Sequence, residues 1–147
     1  MQKGRKWVVV ADGGSAQVYA LDRETGALAA VADVSMERDT QQSGEIMADR
    51  PGRSFDSHGS GRHAMEPRTP ADKVAEHTFL RQLAHRLEVA AVKGRFTELV
   101  LVAAPHALGE LRGLLNAHIT RAITAELAKN LTHESPSELR AHLADSL

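Results

Sequence analysis

Short apolar runs alternate with turn-forming residues over the first 36 positions of the chain. Trp7–Ala11 is a continuous apolar run, as found in a buried central strand. Asp12-Gly13 follows, and this dipeptide predicts a tight hairpin turn because glycine accepts positive φ. Ala16–Leu21 and Ala27–Met36 have the pattern of two further strands, separated by a turn over Asp22–Gly26. The pattern predicts three consecutive antiparallel strands.

Helical periodicity begins after a long irregular stretch. Thr69 and Pro70 have the chemistry of a helix cap and first helical position, and apolar residues then recur at helical spacing up to Lys93-Gly94. Four more elements follow: a strand over Leu99–Ala103, a helix opening at Pro105, a strand over Ala122–Leu127, and a helix opening on the capping-box spacing of Ser135–Glu138. We expect an α/β fold with the order βββαβαβα and a mixed five-stranded sheet carrying helices on its faces. This order matches the ribonuclease-H-like architecture.

Length and composition fit a single domain over residues 1–147 with a long loop at about 36–70. The 18 basic and 19 acidic residues nearly cancel, which argues against a surface-wide field for nucleic acid but leaves a local basic patch open. The absence of cysteine excludes disulfides, thiolate metal sites and a cysteine nucleophile. The only apolar run near the N-terminus is too short for a signal peptide or a membrane span. We therefore expect a cytoplasmic protein without membrane contact.

The segment 36–70 is rich in glycine, serine, aspartate and arginine and has no sustained apolar period. Loops of this length are usually functional or disordered. Guanidinium groups on a glycine-containing tether can follow a phosphate backbone, so the candidate contacts to RNA or the ribosome are Arg50, Arg53, Gly59, Gly61, Arg62 and His63. The alternative is a flexible loop without a binding role, in which Glu45, Asp49, Asp56 and Glu66 neutralise the arginines.

Known catalytic patterns match the chain poorly. A two-metal nuclease of this architecture needs converging carboxylates; Asp12 and Glu76 are candidates for two of them, but the fourth strand ends without an acid. Asp12 is more simply a turn residue, and Glu76 a member of a solvated helix face. The eight histidines lack metal-ligand spacing, and Asp12–Ser15 lacks the features of a phosphate-binding loop. We expect no catalytic residues, no metal and no cofactor.

Three blocks of sequence resemble the bacterial host attachment protein family. They are Val8–Ala16, Leu99–Arg112 and Glu126–Thr132, and they occur in the family's order along the chain. That family is in turn similar to the middle domain of archaeal and eukaryotic peptide-chain release factors, a ribonuclease-H-like domain. There the loop between the third strand and the first helix carries a Gly-Gly-Gln tip that enters the ribosome.

Here the corresponding loop has Gly59-Ser60-Gly61-Arg62 in place of Gly-Gly-Gln. The resemblance therefore implies a translation-associated domain that contacts the ribosome or RNA without hydrolysing peptidyl-tRNA. Two alternatives stay open at this point. One is a regulatory domain that binds a protein partner and affects host attachment indirectly, and the other is a hydrolase acting on RNA or peptidyl-tRNA.

Overall fold

The computed structural model describes residues 5–38 and 69–147. These ranges contain six strands and four helices. The strands are β1 (Lys6–Ala11), β2 (Ser15–Leu21), β3 (Leu28–Ala30), β4 (Met36–Glu37), β5 (Glu98–Ala103) and β6 (Ile123–Leu127). The helices are α1 (Pro70–Val92), α2 (Pro105–Leu114), α3 (Ala117–Ala122) and α4 (Pro136–His142).

The strands form one mixed sheet in the order β3-β2-β1-β5-β6, with β4 also paired to β2. β1 lies at the centre, antiparallel to β2 and parallel to β5, and Trp7 is the register partner of both Ala20 and Leu99. β5 and β6 are parallel as well. The expectation of an α/β fold with a mixed sheet and helices is confirmed.

The sheet has six strands rather than five because the expected third strand is interrupted. Val31 still donates its N–H to the carbonyl of Val18 at 2.7 Å, but the chain then turns away from β2. The backbone N–H of Val18 on β2 donates instead to the side-chain hydroxyl of Ser35, at 2.9 Å. The turn also carries Val34 into the core, where it is 3% exposed. A side chain thus substitutes for one backbone partner, and the strand resumes as β4.

Helix α3 was not expected from the sequence. Asn116 caps it, its side-chain oxygen accepting the N–H of Ile119 at 3.0 Å. Ile119 is fully buried against the sheet. With only six residues, this helix has too few turns to show an apolar period, and its stability depends on that one buried side chain and the cap.

Both faces of the sheet are covered, which explains the continuous apolar runs of β1 and β5. On one face Trp7, Val9 and Leu101 pack with the buried residues of α1, α2 and α3. On the other face Val8 and Val100 pack beneath the last helix, against Leu131, Leu139 and Leu143.

The predicted helix ends are confirmed by their hydrogen bonds. The hydroxyl of Thr69 accepts the N–H of Asp72 at 3.0 Å, and Pro70 is the first residue of α1. The turn before β3 and the end of α1 each place a glycine at positive φ, namely Gly26 at 76° and Gly94 at 73°. Among the described helices none is long and apolar enough to cross a membrane.

Hydrogen bonds hold several carboxyl groups ionised and make stability depend on pH, as Glu138 and Asp33 illustrate. In the capping box of α4, Glu138 accepts the N–H of Ser135 at 2.8 Å, which lowers the pKa of the glutamate. The hydrogen bond from Arg95 lowers the pKa of Asp33 in the same way. Because both folded-state pKa values lie below the unfolded ones, this stability is complete above about pH 4.5, the ordinary glutamate value, and is lost as pH falls through the folded values.

We expect Glu138→Gln to weaken this pH dependence without unfolding α4, because glutamine also completes a capping box. Urea unfolding between about pH 3 and 6 should give a smaller loss of stability on acidification in the variant than in the wild type. Equal losses in the two proteins would show that Glu138 does not contribute to the acid transition.

Candidate functional site

The carboxyl ends of β1, β5 and β6 lie along one edge of the sheet because these three strands are parallel. Open α/β sheets bind ligands at this edge. A pocket of about 310 Å³ lies there, which we call the carboxyl-edge pocket. It is lined by Asp12, Gly13, Gly14, Arg38, Glu76, Ala104, His106, Ala107 and Asn130.

Asp12 organises this pocket through four hydrogen bonds. Its Oδ1 accepts the backbone N–H groups of Gly14 and Ser15, each at 2.9 Å. Its Oδ2 accepts hydrogen bonds from the side-chain amide of Asn130 at 3.2 Å and from the hydroxyl of Thr132 at 3.3 Å. The predicted turn role of Asp12 is confirmed, and the same carboxylate also ties the first hairpin to the segment after β6.

Gly13 allows α1 to approach the hairpin closely. A Cβ atom at this position would lie 2.7 Å from Cδ of Glu76, so a larger residue would displace that side chain. The expectation that positive φ explains this glycine is wrong, because the positive-φ residues of the described chain are Gly26 and Gly94. The close approach of Glu76 explains it instead.

Glu76 belongs to the pocket rather than to a solvated helix face. Its side chain is only 14% exposed, and one carboxylate oxygen lies 4.0 Å from Nε2 of His106. The sequence reading of Glu76 as an exposed residue is therefore wrong. α1 places it on the turn that faces Gly13, next to the first residues of α2.

A chain of acidic and imidazole groups joins α1 to α2 beside the pocket. Nε2 of His106, the second residue of α2, lies 2.9 Å from a carboxylate oxygen of Glu110. The other oxygen of Glu110 lies 3.2 Å from Nδ1 of His77 on α1. Two imidazoles thus share one carboxylate.

Arg38 supplies the positive charge in the wall of the pocket. Its backbone N–H donates to the carbonyl of Gly14 at 2.7 Å, which fixes the end of β4 against the hairpin. Its Nη1 atom is buried and has no hydrogen-bond partner within residues 5–38 and 69–147. The pocket therefore presents both signs of charge, with Glu76 and Arg38 among its lining residues.

The structure brings together Asp12 and Glu76, the two carboxylates considered for a nuclease. The carboxyl end of β5 continues as Ala104-Pro105-His106 and adds no acid. Across the described part of the chain no group of three or more His, Cys, Asp or Glu residues is arranged to hold a metal ion. Among the residues that the structure describes, the lining of the pocket lacks the carboxylate set of a two-metal centre.

The predicted RNA or ribosome contacts are outside the described residues. This applies to all six, namely Arg50, Arg53, Gly59, Gly61, Arg62 and His63. Sequence reasoning missed Arg38, Glu110, Asn130 and Thr132. The position of Asn130 and Thr132 in the sequence could have indicated their role. Both follow a strand expected to run parallel to β1 and β5, and the carboxyl ends of parallel strands lie at the same edge of the sheet.

The chain matches a known protein family. A family model described as "Protein required for attachment to host cells" matches residues 7–143. This range contains all six strands of the described sheet apart from Lys6, the first residue of β1. No curated protein matches the chain.

Proposed function

Because the chain belongs to the family of proteins required for attachment to host cells, we propose that it is a cytoplasmic, non-enzymatic domain that contacts RNA or the ribosome. In this proposal residues 1–147 form one domain, and the arginine- and glycine-containing segment after β4 is its contact element. Attachment then depends on the protein indirectly, through translation. The observation that carries the proposal is that Arg38, the last described residue before this segment, lines the carboxyl-edge pocket.

The described chain ends at the carboxyl-edge pocket before the segment, and the helix that follows the segment contributes Glu76 to the same pocket. Arg38, the last described residue before the segment, lines the pocket. Thr69 is the first described residue after the segment. Glu76, which lines the same pocket as Arg38, follows Thr69 by about two helical turns. The described chain before this segment therefore ends at the edge where open α/β sheets bind ligands.

The middle of this segment holds three of its four arginines and one of its five acidic residues. Residues 50–63 include three arginines, two histidines and a single acid, Asp56. Phosphate groups are the natural partners of such a stretch, since guanidinium binds them through paired hydrogen bonds.

The strand order supports kinship with the ribonuclease-H-like middle domain of release factors. β3 and β4 both pair with β2 and can be counted together as the third strand of the chain. The order of strands across the sheet is then third, second, first, fourth and fifth. A meander followed by two parallel strands fits that architecture. We infer the kinship from this order and from the sequence resemblance together.

The carboxyl-edge pocket favours binding over hydrolysis. Both oxygens of the Asp12 carboxylate already accept protein hydrogen bonds, which suits a structural role. The segment also lacks the Gly-Gly-Gln sequence with which release factors promote hydrolysis. Contact without chemistry is the function that these residues support best.

We expect purified ribosomes to bind the chain, and Arg53→Ala with Arg62→Ala to weaken that binding about tenfold or more, because two charged contacts are lost. Co-sedimentation at increasing salt measures the effect, and wild-type binding should weaken steeply as salt rises. The matched control is Arg81→Ala with Arg121→Ala, which removes the same charge from exposed positions on α1 and α3.

Three results would contradict the proposal. The first is no ribosome binding by the wild type at low salt. The second is an equal loss of binding in the test and control variants, which would indicate a nonspecific charge effect. The third is a stable protein partner, recovered equally by wild type and by Arg53→Ala with Arg62→Ala, without ribosomes; this would favour the protein-interaction alternative.

A further inference from the structure

Helix α2 begins without a side-chain cap. The side-chain oxygens of Thr69, Asn116 and Ser135 cap α1, α3 and α4. The residue before α2 is Ala104, whose side chain makes no capping hydrogen bond. Capping side chains normally accept N–H groups of the first helical turn. Among the four described helices, α2 is therefore the one whose first turn lacks such an acceptor.

Two backbone N–H groups of this turn have no acceptor within the helix. Pro105, the first residue of α2, has no N–H, and the N–H of Leu108 donates to the carbonyl of Ala104 at 2.8 Å. The groups that remain are those of His106 and Ala107, which precede the first hydrogen bond of the helix. Both residues line the carboxyl-edge pocket. The pocket therefore has two backbone donors at the positive end of a helix dipole.

Arg38 adds a side-chain donor from the end of β4. It lines the same pocket, and its buried Nη1 atom has no hydrogen-bond partner in the described part of the chain. Burying a charged donor without an acceptor is costly, and an acceptor that binds beside it relieves that cost. This atom is a second indication, independent of the helix, that the pocket receives a ligand with acceptor oxygens.

The carboxylates of Asp12 and Glu76 also line the pocket, so a general excess of positive charge does not explain anion binding there. Asp12 already accepts four hydrogen bonds, from the hairpin and from the segment after β6. The donors of Arg38 and α2 act over hydrogen-bond distances, and helix N-termini bind anions by this short-range route. The pocket therefore selects a ligand by its acceptor oxygens and not by a long-range field.

The size of the pocket and the number of its donors indicate a phosphate group. Its volume of about 310 Å³ is at the lower end of the range for ligand pockets, so the bound group is small. The oxygens of a phosphate are arranged as a tetrahedron and can accept from a guanidinium and from two helix N–H groups at once. A planar carboxylate has fewer oxygens than the pocket has donors.

We propose that the carboxyl-edge pocket binds a phosphate group, held by the guanidinium of Arg38 and by the backbone N–H groups of His106 and Ala107. The phosphate belongs either to a small phosphorylated molecule or to RNA. The proposal goes beyond the ribosome contact and does not rest on it, because these three residues lie outside the segment assigned to that contact.

Titration with inorganic phosphate, followed by NMR of the backbone amides, tests this directly. We expect the amide signals of His106 and Ala107 to shift and to saturate together. Arg38→Ala should weaken binding about tenfold or more, because a hydrogen bond to a charged group is lost. Arg38→Lys keeps the charge but not the planar guanidinium, so it should retain only part of the affinity. Arg81→Ala, at an exposed position on α1, is the control and should bind phosphate as the wild type does.

A second variant blocks the helix N–H groups without weakening the fold. Ala104→Asp places a capping carboxylate at the start of α2, which should stabilise the helix and weaken phosphate binding about tenfold or more. Its control is Asn116→Asp, which adds the same charge at the cap of α3, beyond the far end of α2, a helix about 15 Å long. The control should leave the affinity unchanged. Because a cap stabilises its helix, loss of binding in Ala104→Asp is not a result of unfolding.

Competition identifies the source of the phosphate. Displacement of inorganic phosphate by a short single-stranded RNA with a 5′-phosphate would assign the site to RNA, and retention would assign it to small phosphorylated molecules. Unshifted amides of His106 and Ala107 at high phosphate, or wild-type affinity in either Arg38→Ala or Ala104→Asp, would overturn the proposal. Arg53→Ala with Arg62→Ala should bind phosphate as the wild type does, which separates this site from the ribosome contact.

Discussion

Replacing Leu83 with alanine should lower the free energy of unfolding by about 2–5 kcal/mol. Leu83 lies on α1 and is fully buried against the sheet face that holds Trp7 and Leu101. Truncation removes apolar contacts and leaves a cavity that the surrounding strands cannot fill without moving. Urea unfolding measures the change, which should appear as a lower midpoint with an unchanged slope.

Val92→Ala is the control on the same helix. This valine is 83% exposed, so its truncation should change stability by less than about 0.5 kcal/mol. If Leu83→Ala lowered the free energy of unfolding no more than Val92→Ala, α1 would not pack on this face of the sheet as described.

The second large effect is expected at the hairpin that carries Asp12. Gly13→Ala should destabilise the fold by about 1–3 kcal/mol, because the added Cβ would lie 2.7 and 2.8 Å from Cδ and Cγ of Glu76. In a Glu76→Ala background the same substitution should cost only a few tenths of a kcal/mol. A double-mutant cycle by urea unfolding gives the coupling between the two positions.

Gly14→Ala serves as the neighbouring control. A Cβ at Gly14 would meet no atom within 4 Å, so this change should be neutral or slightly stabilising. Equal costs at Gly13 and Gly14, or a cost at Gly13 that persists without the Glu76 side chain, would contradict the close approach of α1 to the hairpin.

Local signals allowed much of the fold to be predicted. The capping box of α4 is present as expected, with the hydroxyl of Ser135 accepting the N–H of Glu138 at 3.1 Å. Such ends are decided by one or two neighbouring side chains. The interruption between β3 and β4 was missed because it depends on a hydrogen bond between Ser35 and Val18, 17 residues apart in the chain. Helix α3 was missed because six residues show no period.

The carboxyl-edge pocket was predicted only in part, for a similar reason. Asp12 and Glu76 could be named as carboxylates, but the sequence does not show that Gly13 lets them share one pocket. Asn130 and Thr132 reach Asp12 across more than a hundred residues. Their approach follows from the parallel pairing of β1, β5 and β6, which is a property of the sheet and not of any local pattern.

The most direct test of the proposed function is the amount of chain that sediments with purified ribosomes across a salt series, with and without residues 50–63. We predict salt-sensitive binding by the whole chain, and its loss in the shortened chain. Equal sedimentation of the two proteins, or none by the whole chain at low salt, would contradict the assignment of this segment as the contact element.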